Sequence, residues 1–432
     1  MLIDELERFN PWWKTGAVPP ERAPAYRRPL FDEAQRFLEL RQAVLIWGIR
    51  RTGKTTLAHQ LIQSLLAKGI APKAILYFSF DDASFDLGDA LEAFQKLVIG
   101  KTFEHAGRAY LFLDEVQKVP DWESKLKIYY DLYPNLKFIL TGSASISLRR
   151  GSGESLAGRV IPLRLDPLPF EEFLTLSGIP VDKVKESPAL WKREVVPLFY
   201  KHLRQGGFPE LAGTMDEEGA KRIIKSMVER VIYKDLQEEF GIRDLALLKA
   251  LASLALSQPG TLVDFKGIAS NLGRDQRTVS SYFELLEYSL LIRFLHNYRG
   301  SPLASARKLK KAYPATPSLS HAHSDGAVPL PSLLEAFVVS ETGAEFFYRD
   351  SFEVDAIIPQ GDGVVAIEIK AGAARPGQLK KLANMLGGKV KKAYIVTLEE
   401  EGISDAYEDE VEVFPAWRFV LEKPYLQSQA RP

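Results

Sequence analysis

Two sets of residues in this 432-residue chain have types and spacings suited to chemistry. The first is Gly48-Ile49-Arg50-Arg51-Thr52-Gly53-Lys54-Thr55, which fits G-x-x-x-x-G-K-[ST]. Glycines there let backbone N–H groups wrap phosphate oxygens, and a following helix adds the positive end of its dipole. Lys54 is placed to reach β- and γ-phosphates, the Thr55 hydroxyl to ligate Mg²⁺, and Thr56 to continue into the helix. Arg50, Arg51 and Thr52 fill the variable part of the loop, and contact of either arginine with phosphate is left open. Further on, Tyr110-Leu111-Phe112-Leu113-Asp114-Glu115 is an apolar run ending in two acids. A buried strand would deliver Asp114 to its carboxyl edge as a metal ligand, with Glu115 beside it to orient or polarise a water. The expected ligand is ATP with Mg²⁺, and the expected reaction its hydrolysis.

Two more positions belong with this set. The next apolar run ends in Thr141-Gly142-Ser143, where a polar side chain could sense the γ-phosphate; Ser143 is favoured over Thr141. Arg159, in Ser155-Leu156-Ala157-Gly158-Arg159, reads either as an arginine finger that stabilises transition-state charge or as a surface arginine in a salt bridge. The second set lies near the other end of the chain. Glu353-Val354-Asp355 opens one strand-like run, and Glu368-Ile369-Lys370 closes the next. Residues two apart in a strand share a face, so Glu368 and Lys370 point together, and a hairpin brings Asp355 beside them. Asp355 and Glu368 could hold a divalent metal through oxygen. Lys370 could orient or help deprotonate a metal-bound water for phosphodiester attack.

These residues need elements to position them. From Ala43 to Asp166, short apolar runs at 43–47, 74–80, 109–113 and 137–140 alternate with helical stretches, the pattern of a parallel sheet covered on both faces. Residues 1–42 read as an N-terminal arm, whose Trp12 and Trp13 are expected to pack on the neighbouring domain. Residues 167–244 read as a helical lid broken at Gly206-Gly207-Phe208-Pro209. Residues 245–299 read as a winged-helix-like unit, in which Phe265–Leu272, Gly273 and Arg274–Tyr288 suggest helix–turn–helix, with Ile268, Leu272, Val279, Tyr282, Leu285 and Leu286 as core and the apolar stretch after them as a wing. Its second helix would show Arg274, Arg277, Thr278, Ser280 and Ser281 to DNA, or serve a purely structural or protein-binding role. Glu284 and Glu287 would repel DNA. Residues 300–331, rich in Ser, Pro, Ala, His and Lys, read as the linker. Their run Arg307, Lys308, Lys310, Lys311 is a phosphate track or a solvated stretch. A last α/β unit spans 332–414, with helix 332–344, strands 345–350, 352–358 and 364–370, helix 376–386 and strand 391–397, and a tail follows at 415–432.

Composition limits the chemistry. Lys+Arg and Asp+Glu both number 56, so nucleic-acid binding has to come from local patches. The chain has no cysteine, which excludes disulfides, thiolate nucleophiles and Cys-based metal sites. No segment reads as a membrane span, and the acidic N-terminus has no apolar signal core, so the expectation is a cytoplasmic protein with no membrane partner.

The order G-x-x-x-x-G-K-T-T, L-F-L-D-E-V-Q, L-T-G-S and L-A-G-R-V, followed by Pro167-Leu168-Pro169-Phe170-Glu171-Glu172-Phe173 and Gly206-Gly207-Phe208-Pro209-Glu210, resembles a large family of bacterial and archaeal AAA+-type ATPases. Their C-terminal half is usually described as of unknown function. The resemblance implies an ATPase with a winged-helix middle unit, an Arg159 that acts in trans, and so a homo-oligomer. The C-terminal element order with D-x(n)-E-x-K resembles the PD-(D/E)xK nuclease superfamily. The ATPase family's matching pattern is E-N-F-V, E-V-D-F, I-E-V-K. Glu335-Ala336-Phe337-Val338 matches the first with Ala336 in place of Asn, which makes Glu335 a further candidate acid. The family's Asp ahead of that helix is missing, since the stretch reads Ala315-Thr316-Pro317-Ser318. The expected fold class is α/β: an AAA+-like parallel sheet, a helical lid, a winged-helix unit and a small restriction-endonuclease-like domain. Two functional expectations follow. One is an ATPase whose cycle acts on DNA or RNA through the last two units. The other is an ATP-dependent switch whose C-terminal unit only binds a partner. A small-molecule kinase fits poorly, because more than half the chain would then have no role.

Overall fold

The computed structural model describes residues 2–81, 86–143, 156–213, 216–299, 309–324, 326–372, 376–399, 402–404 and 411–426. The chain forms two compact units, Met1–Asp166 and Pro167–Pro432, and both are α/β. In the first unit the strands are β1 (Ala43–Trp47), β2 (Ile75–Ser79), β3 (Ala109–Asp114), β4 (Leu136–Gly142) and β5 (Val160–Arg164). They lie in the order β2-β3-β4-β1-β5, all parallel. Its helices are α1 (Leu2–Phe9), α2 (Trp12–Thr15), α3 (Leu30–Phe37), α4 (Lys54–Ala67), α5 (Leu87–Ala93) and α6 (Trp122–Leu132). Crossover helices cover both faces of a parallel sheet, so neither side of a strand meets water. Leu45, Leu76, Leu111 and Phe138 enter one apolar cluster, and the alternating Ile46, Tyr77, Phe112 and Ile139 enter the other. Two buried faces are why these strands read as unbroken apolar runs.

The first residues cap the sheet edge. β2 is an edge strand, and unpaired edge groups invite wrong pairing. Buried Asn10 donates from Nδ2 to the Tyr77 carbonyl at 2.8 Å and accepts the Tyr77 N–H on Oδ1 at 2.6 Å. Trp12 and Trp13 both donate their indole N–H to the Ile75 carbonyl, at 3.3 and 2.8 Å. The tryptophans therefore pack on a neighbouring strand. The stretch 1–42 belongs to the same compact unit as the sheet.

The second unit begins with α7 (Phe170–Leu176), α8 (Val181–Glu186), α9 (Pro188–Gln205), α10 (Glu217–Arg230) and α11 (Leu236–Phe240). Next come α12 (Leu245–Ser257), β6 (Thr261–Val263), α13 (Phe265–Leu272), α14 (Gln276–Tyr288), β7 (Ile292–Asn297) and β8 (Lys310–Pro314). Then α15 (Pro317–His323) precedes α16 (Leu330–Thr342), β9 (Phe346–Arg349), β10 (Glu353–Gln360), β11 (Gly363–Lys370), α17 (Gly377–Leu386) and β12 (Val390–Thr397). The unit closes with β13 (Gly402–Ser404), β14 (Val411–Pro415) and α18 (Ala416–Glu422). Among the described residues, one mixed sheet of nine strands, β13-β14-β12-β11-β10-β9-β7-β8-β6, draws on the chain from Thr261 to Pro415. The helix–turn–helix segment and the C-terminal segment thus share a sheet, where the sequence suggested separate units. The helices after Pro167 share a core with them too: Phe170 and Phe199 pack edge-on against Phe337 of α16, with ring centres 5.8 and 5.1 Å away.

The expected linker needs correction. Residues 300–308, with Arg307 and Lys308, lie outside the described residues, but 310–323 are interior. Ser318 and Ser320 are fully buried in α15 and donate to the carbonyls of Gly206, at 2.6 Å, and Leu256. Gly207, at φ +90°, leaves no room for a side chain, because a Cβ would come 2.7 Å from Thr316. Small hydroxyl residues suit a solvated linker, but they suit close helix packing equally when backbone carbonyls take their protons.

Candidate functional site

The loop after β1 is shaped by what its residues cannot do otherwise. At Gly48 any Cβ would lie 2.3 Å from the Leu165 carbonyl oxygen, so only glycine fits against the chain just past β5. Arg51 and Gly53 take left-handed φ values of 65° and 96°, which turn the chain into α4. Buried Thr52 donates to the Ile49 carbonyl at 2.9 Å and closes the loop on itself. Lys54 is 5% exposed, and its ammonium donates to the Gly48 and Ile49 carbonyls at 3.0 Å each. Arg50 pairs loosely with Asp81 at 3.9 Å, Arg51 is exposed, and Thr56 sits in the first turn of α4.

β4 lies between β1 and β3, so the three carboxyl ends meet. Asp114, buried at the end of β3, is the focus. Its Oδ2 accepts the hydroxyls of Thr55 at 3.0 Å and Tyr77 at 2.7 Å, and its Oδ1 accepts the Thr141 hydroxyl. Three hydroxyls from α4, β2 and β4 therefore fix one carboxylate. Burial, reinforced by the Asp114 charge, holds the Tyr77 phenol well above its ordinary pKa, so it stays a donor. Glu115 stands at φ 54°, a strained region for a residue with a side chain, and donates its N–H to Thr141 Oγ1 at 3.2 Å. Gln117 donates to the Glu115 carboxylate at 2.5 Å. Ser143 is buried just past β4. Thr55 and Asp114, a hydroxyl and a carboxylate within hydrogen-bond distance, form an oxygen donor set that fits Mg²⁺.

Arg159 is not part of this group. It precedes β5 at the strand's amino end, where Val160 pairs with Ala43, whereas the loop follows Trp47 at the opposite edge. Arg159 makes a two-pronged pair with Asp131 of α6, at 3.0 and 3.2 Å.

In the second unit the β10–β11 register pairs Ala356 with Ile367, which sets Asp355 across from Glu368. Asp355 accepts the Ile369 N–H at 2.7 Å. Burial first, then Glu368 and Glu335, push its carboxyl up to about 8. Glu368 is 1% exposed; burial raises its pKa, Lys370 sits 2.5 Å from its Oε1, and its Oε2 has no partner. Burial pulls the Lys370 ammonium down, but the Glu368 bond and the surrounding carboxylates outweigh it and hold it above its ordinary value. Glu335 of α16 bonds Lys311 at 3.1 Å and the Tyr313 hydroxyl. Among the described residues, no three His, Asp or Glu side chains are grouped to hold a metal ion.

Lys311 corrects the basic-run reading. It is 4% exposed and bound to Glu335 and Glu353, while Lys310 lies over the Phe294 ring at 4.9 Å. Neither lines a phosphate track. In the helix–turn–helix, Gly273 at φ 62° makes the turn, and Asp275 caps α14 through the N–H groups of Arg277 and Thr278. Arg274 pairs with Asp244 at 2.8 Å. Arg277 and Ser281 are exposed. Leu272 is 42% exposed, and so lies outside the core expected for it. Glu287 turns inward to accept the Phe294 N–H at 3.2 Å, which leaves Glu284 as the exposed acid. Tyr77, Lys311 and Tyr313 were missed because nothing separates a tyrosine in an apolar strand, or a lysine in a polar stretch, from core and surface.

Residues 40–174 match a family described as an AAA domain, and residues 196–327 a domain of unknown function. An uncharacterised protein of Methanocaldococcus jannaschii is 29% identical over 65% of this chain and 63% of its own. One of Haemophilus influenzae is 27% identical over 57% of this chain and 60% of its own. The chain thus spans under two thirds of the length of these relatives. A Walker-type ATPase of Pyrococcus abyssi superposes over 71% of this chain and 99% of its own, at 16% identity and a TM-score of 0.41. Among the described residues no helix is long and apolar enough to cross a membrane. The first unit therefore carries an AAA-type P-loop ATPase domain, and a domain of unknown function follows it.

Proposed function

We propose that the first unit binds ATP at Gly48–Thr55 and hydrolyses it, and that this cycle drives a nuclease-like second unit acting on DNA or RNA. The carrying observation is the convergence of the Thr55, Tyr77 and Thr141 hydroxyls on Asp114, one step from Glu115. Thr55 and Asp114 would hold Mg²⁺, which offsets the charge on the β- and γ-phosphates. Lys54 leaves the Gly48 and Ile49 carbonyls for phosphate, Glu115 takes the proton of the attacking water, and Ser143 meets the γ-phosphate. Arg159, at the far edge of its own sheet, serves the nucleotide of a second copy after leaving Asp131. In the second unit Asp355, Glu368 and Lys370 would form the cleavage site, with Arg277 and Ser281 contacting nucleic acid.

A second reading, an ATP-driven switch with an inactive cluster, draws on the lysines already paired to these carboxylates. ATPase and nucleic-acid cleavage assays with Mg²⁺ or Mn²⁺ on wild type, Lys54→Ala and Asp355→Ala separate the two. Cleavage lost in Asp355→Ala supports the nuclease; no cleavage by wild type leaves the switch. Mixing Arg159→Ala with Glu115→Gln subunits restores hydrolysis if the arginine acts in trans, and no recovery removes that role.

A further inference from the structure

Lys311 lies where composition suggests a linker, yet it is among the most enclosed charges of the second unit, at 4% exposure. Its ammonium is 3.1 Å from Glu335 and 2.5 Å from Glu353. Tyr313, two residues on and on the same face of β8, donates to Glu335 as well. Arg349 takes the other oxygen of Glu353 at 3.2 Å. This half of the cluster has as many cations as carboxylates, with both Glu353 oxygens taken and the two Glu335 bonds on its Oε1.

The other half has fewer cations than carboxylates. Asp355 has one backbone N–H, and Glu368 has Lys370 on one oxygen only, while its buried Oε2 has no partner. A carboxylate oxygen buried without a donor is costly and marks where a cation belongs. We propose that Lys311 is a built-in cation of this cluster, which fixes Glu335 and Glu353 and confines any divalent ion to Asp355 and Glu368. A metal ion on Glu335 or Glu353 would sit against the ammonium, and like charges at that separation repel strongly in a buried site. The stretch expected to be a linker, through β8, thus contributes a positioning residue to the carboxylates of β10 and β11. The inference rests on reading Asp355 and Glu368 as a cation site, and the test separates the two.

Mn²⁺ equivalents bound by nucleotide-free full-length protein are counted by electron paramagnetic resonance, and differences between variants are read. Lys311→Met should bind one equivalent more than wild type, because Glu335 then has no cation and Glu353 keeps only Arg349. Glu335→Gln/Glu353→Gln should bind as many as wild type, and Asp355→Asn one fewer. No gain in Lys311→Met, or a loss in the double variant, overturns the role of Lys311. A gain in Lys311→Met with no difference between wild type and Asp355→Asn keeps that role and sinks the Asp355–Glu368 cation site. If Lys311→Met fails to fold, adding Glu335→Gln and Glu353→Gln should restore folding, since the three charges then vanish together; an unfolded triple variant overturns the proposal.

Discussion

Replacing Thr141 by Val keeps the shape of a residue that is 1% exposed and removes only its hydroxyl. That hydroxyl donates to Asp114 Oδ1 and accepts the Glu115 N–H at 3.2 Å. The variant therefore leaves Asp114 with two of its three hydroxyl donors and the strained Glu115 backbone without its acceptor. A hydrogen bond to a charged group contributes about 1.5–3 kcal/mol. If that stabilisation acts where Asp114 and Glu115 meet the reacting phosphate, kcat falls roughly 10- to 150-fold. Lys54 and the loop amides are untouched, so ATP affinity should stay within about threefold. Steady-state ATPase at saturating ATP, with Mg²⁺ titrated, measures the first effect, and equilibrium binding of a fluorescent ATP analogue the second. Thr141→Ser, which keeps the hydroxyl, should recover most of the rate. A Thr141→Val enzyme within about twofold of wild type would refute the idea that this hydroxyl organises the acids.

The edge cap predicts that Asn10→Ala strands the buried N–H and carbonyl of Tyr77 and costs roughly 2–4 kcal/mol in urea unfolding followed by tryptophan fluorescence; a cost below about 1 kcal/mol would mean the edge does not need Asn10. In metal-free buffer, Asp355 gives the second unit a fall in stability with rising pH. Its folded carboxyl is pushed up to about 8, so the native state binds the proton more tightly than the unfolded chain. The stabilisation is complete below the ordinary carboxylate pKa and is lost as pH climbs toward 8. Asp355→Asn should raise the melting midpoint at pH 8 more than at pH 5, and an equal change at both would count against the buried acid.

How legible each part was depends on how local its cause is. The loop at Gly48–Thr55 and the Asp114-Glu115 pair announce themselves because a phosphate needs a fixed run of backbone and a metal needs an acid at a strand end. The Asp355, Glu368 and Lys370 grouping followed from period-two geometry and one turn at Gly361-Asp362-Gly363. Tyr77 and Thr141 were not legible as supports of Asp114, because their role arises from a strand order that places β4 between β1 and β3 and β2 beside β3. Lys311, Ser318 and Ser320 misled for another reason. Their composition fits solvent, and only partners distant in sequence, such as Glu335, Gly206 and Leu256, make a buried place for them. The share of the nine-stranded sheet built from both sides of residues 300–308 is likewise a long-range pairing that no local pattern carries.

The proposed cycle requires that Gly48–Thr55 hold ATP and that Glu115 activate the water that attacks it. Equilibrium binding of Mg²⁺–ATP to wild type, Lys54→Ala and Glu115→Gln, with phosphate release followed in the same samples, tests it most directly. Wild type should bind and turn over ATP, Glu115→Gln should bind without turnover, and Lys54→Ala should do neither; a Lys54→Ala protein that binds ATP as tightly as wild type would remove the loop from nucleotide binding.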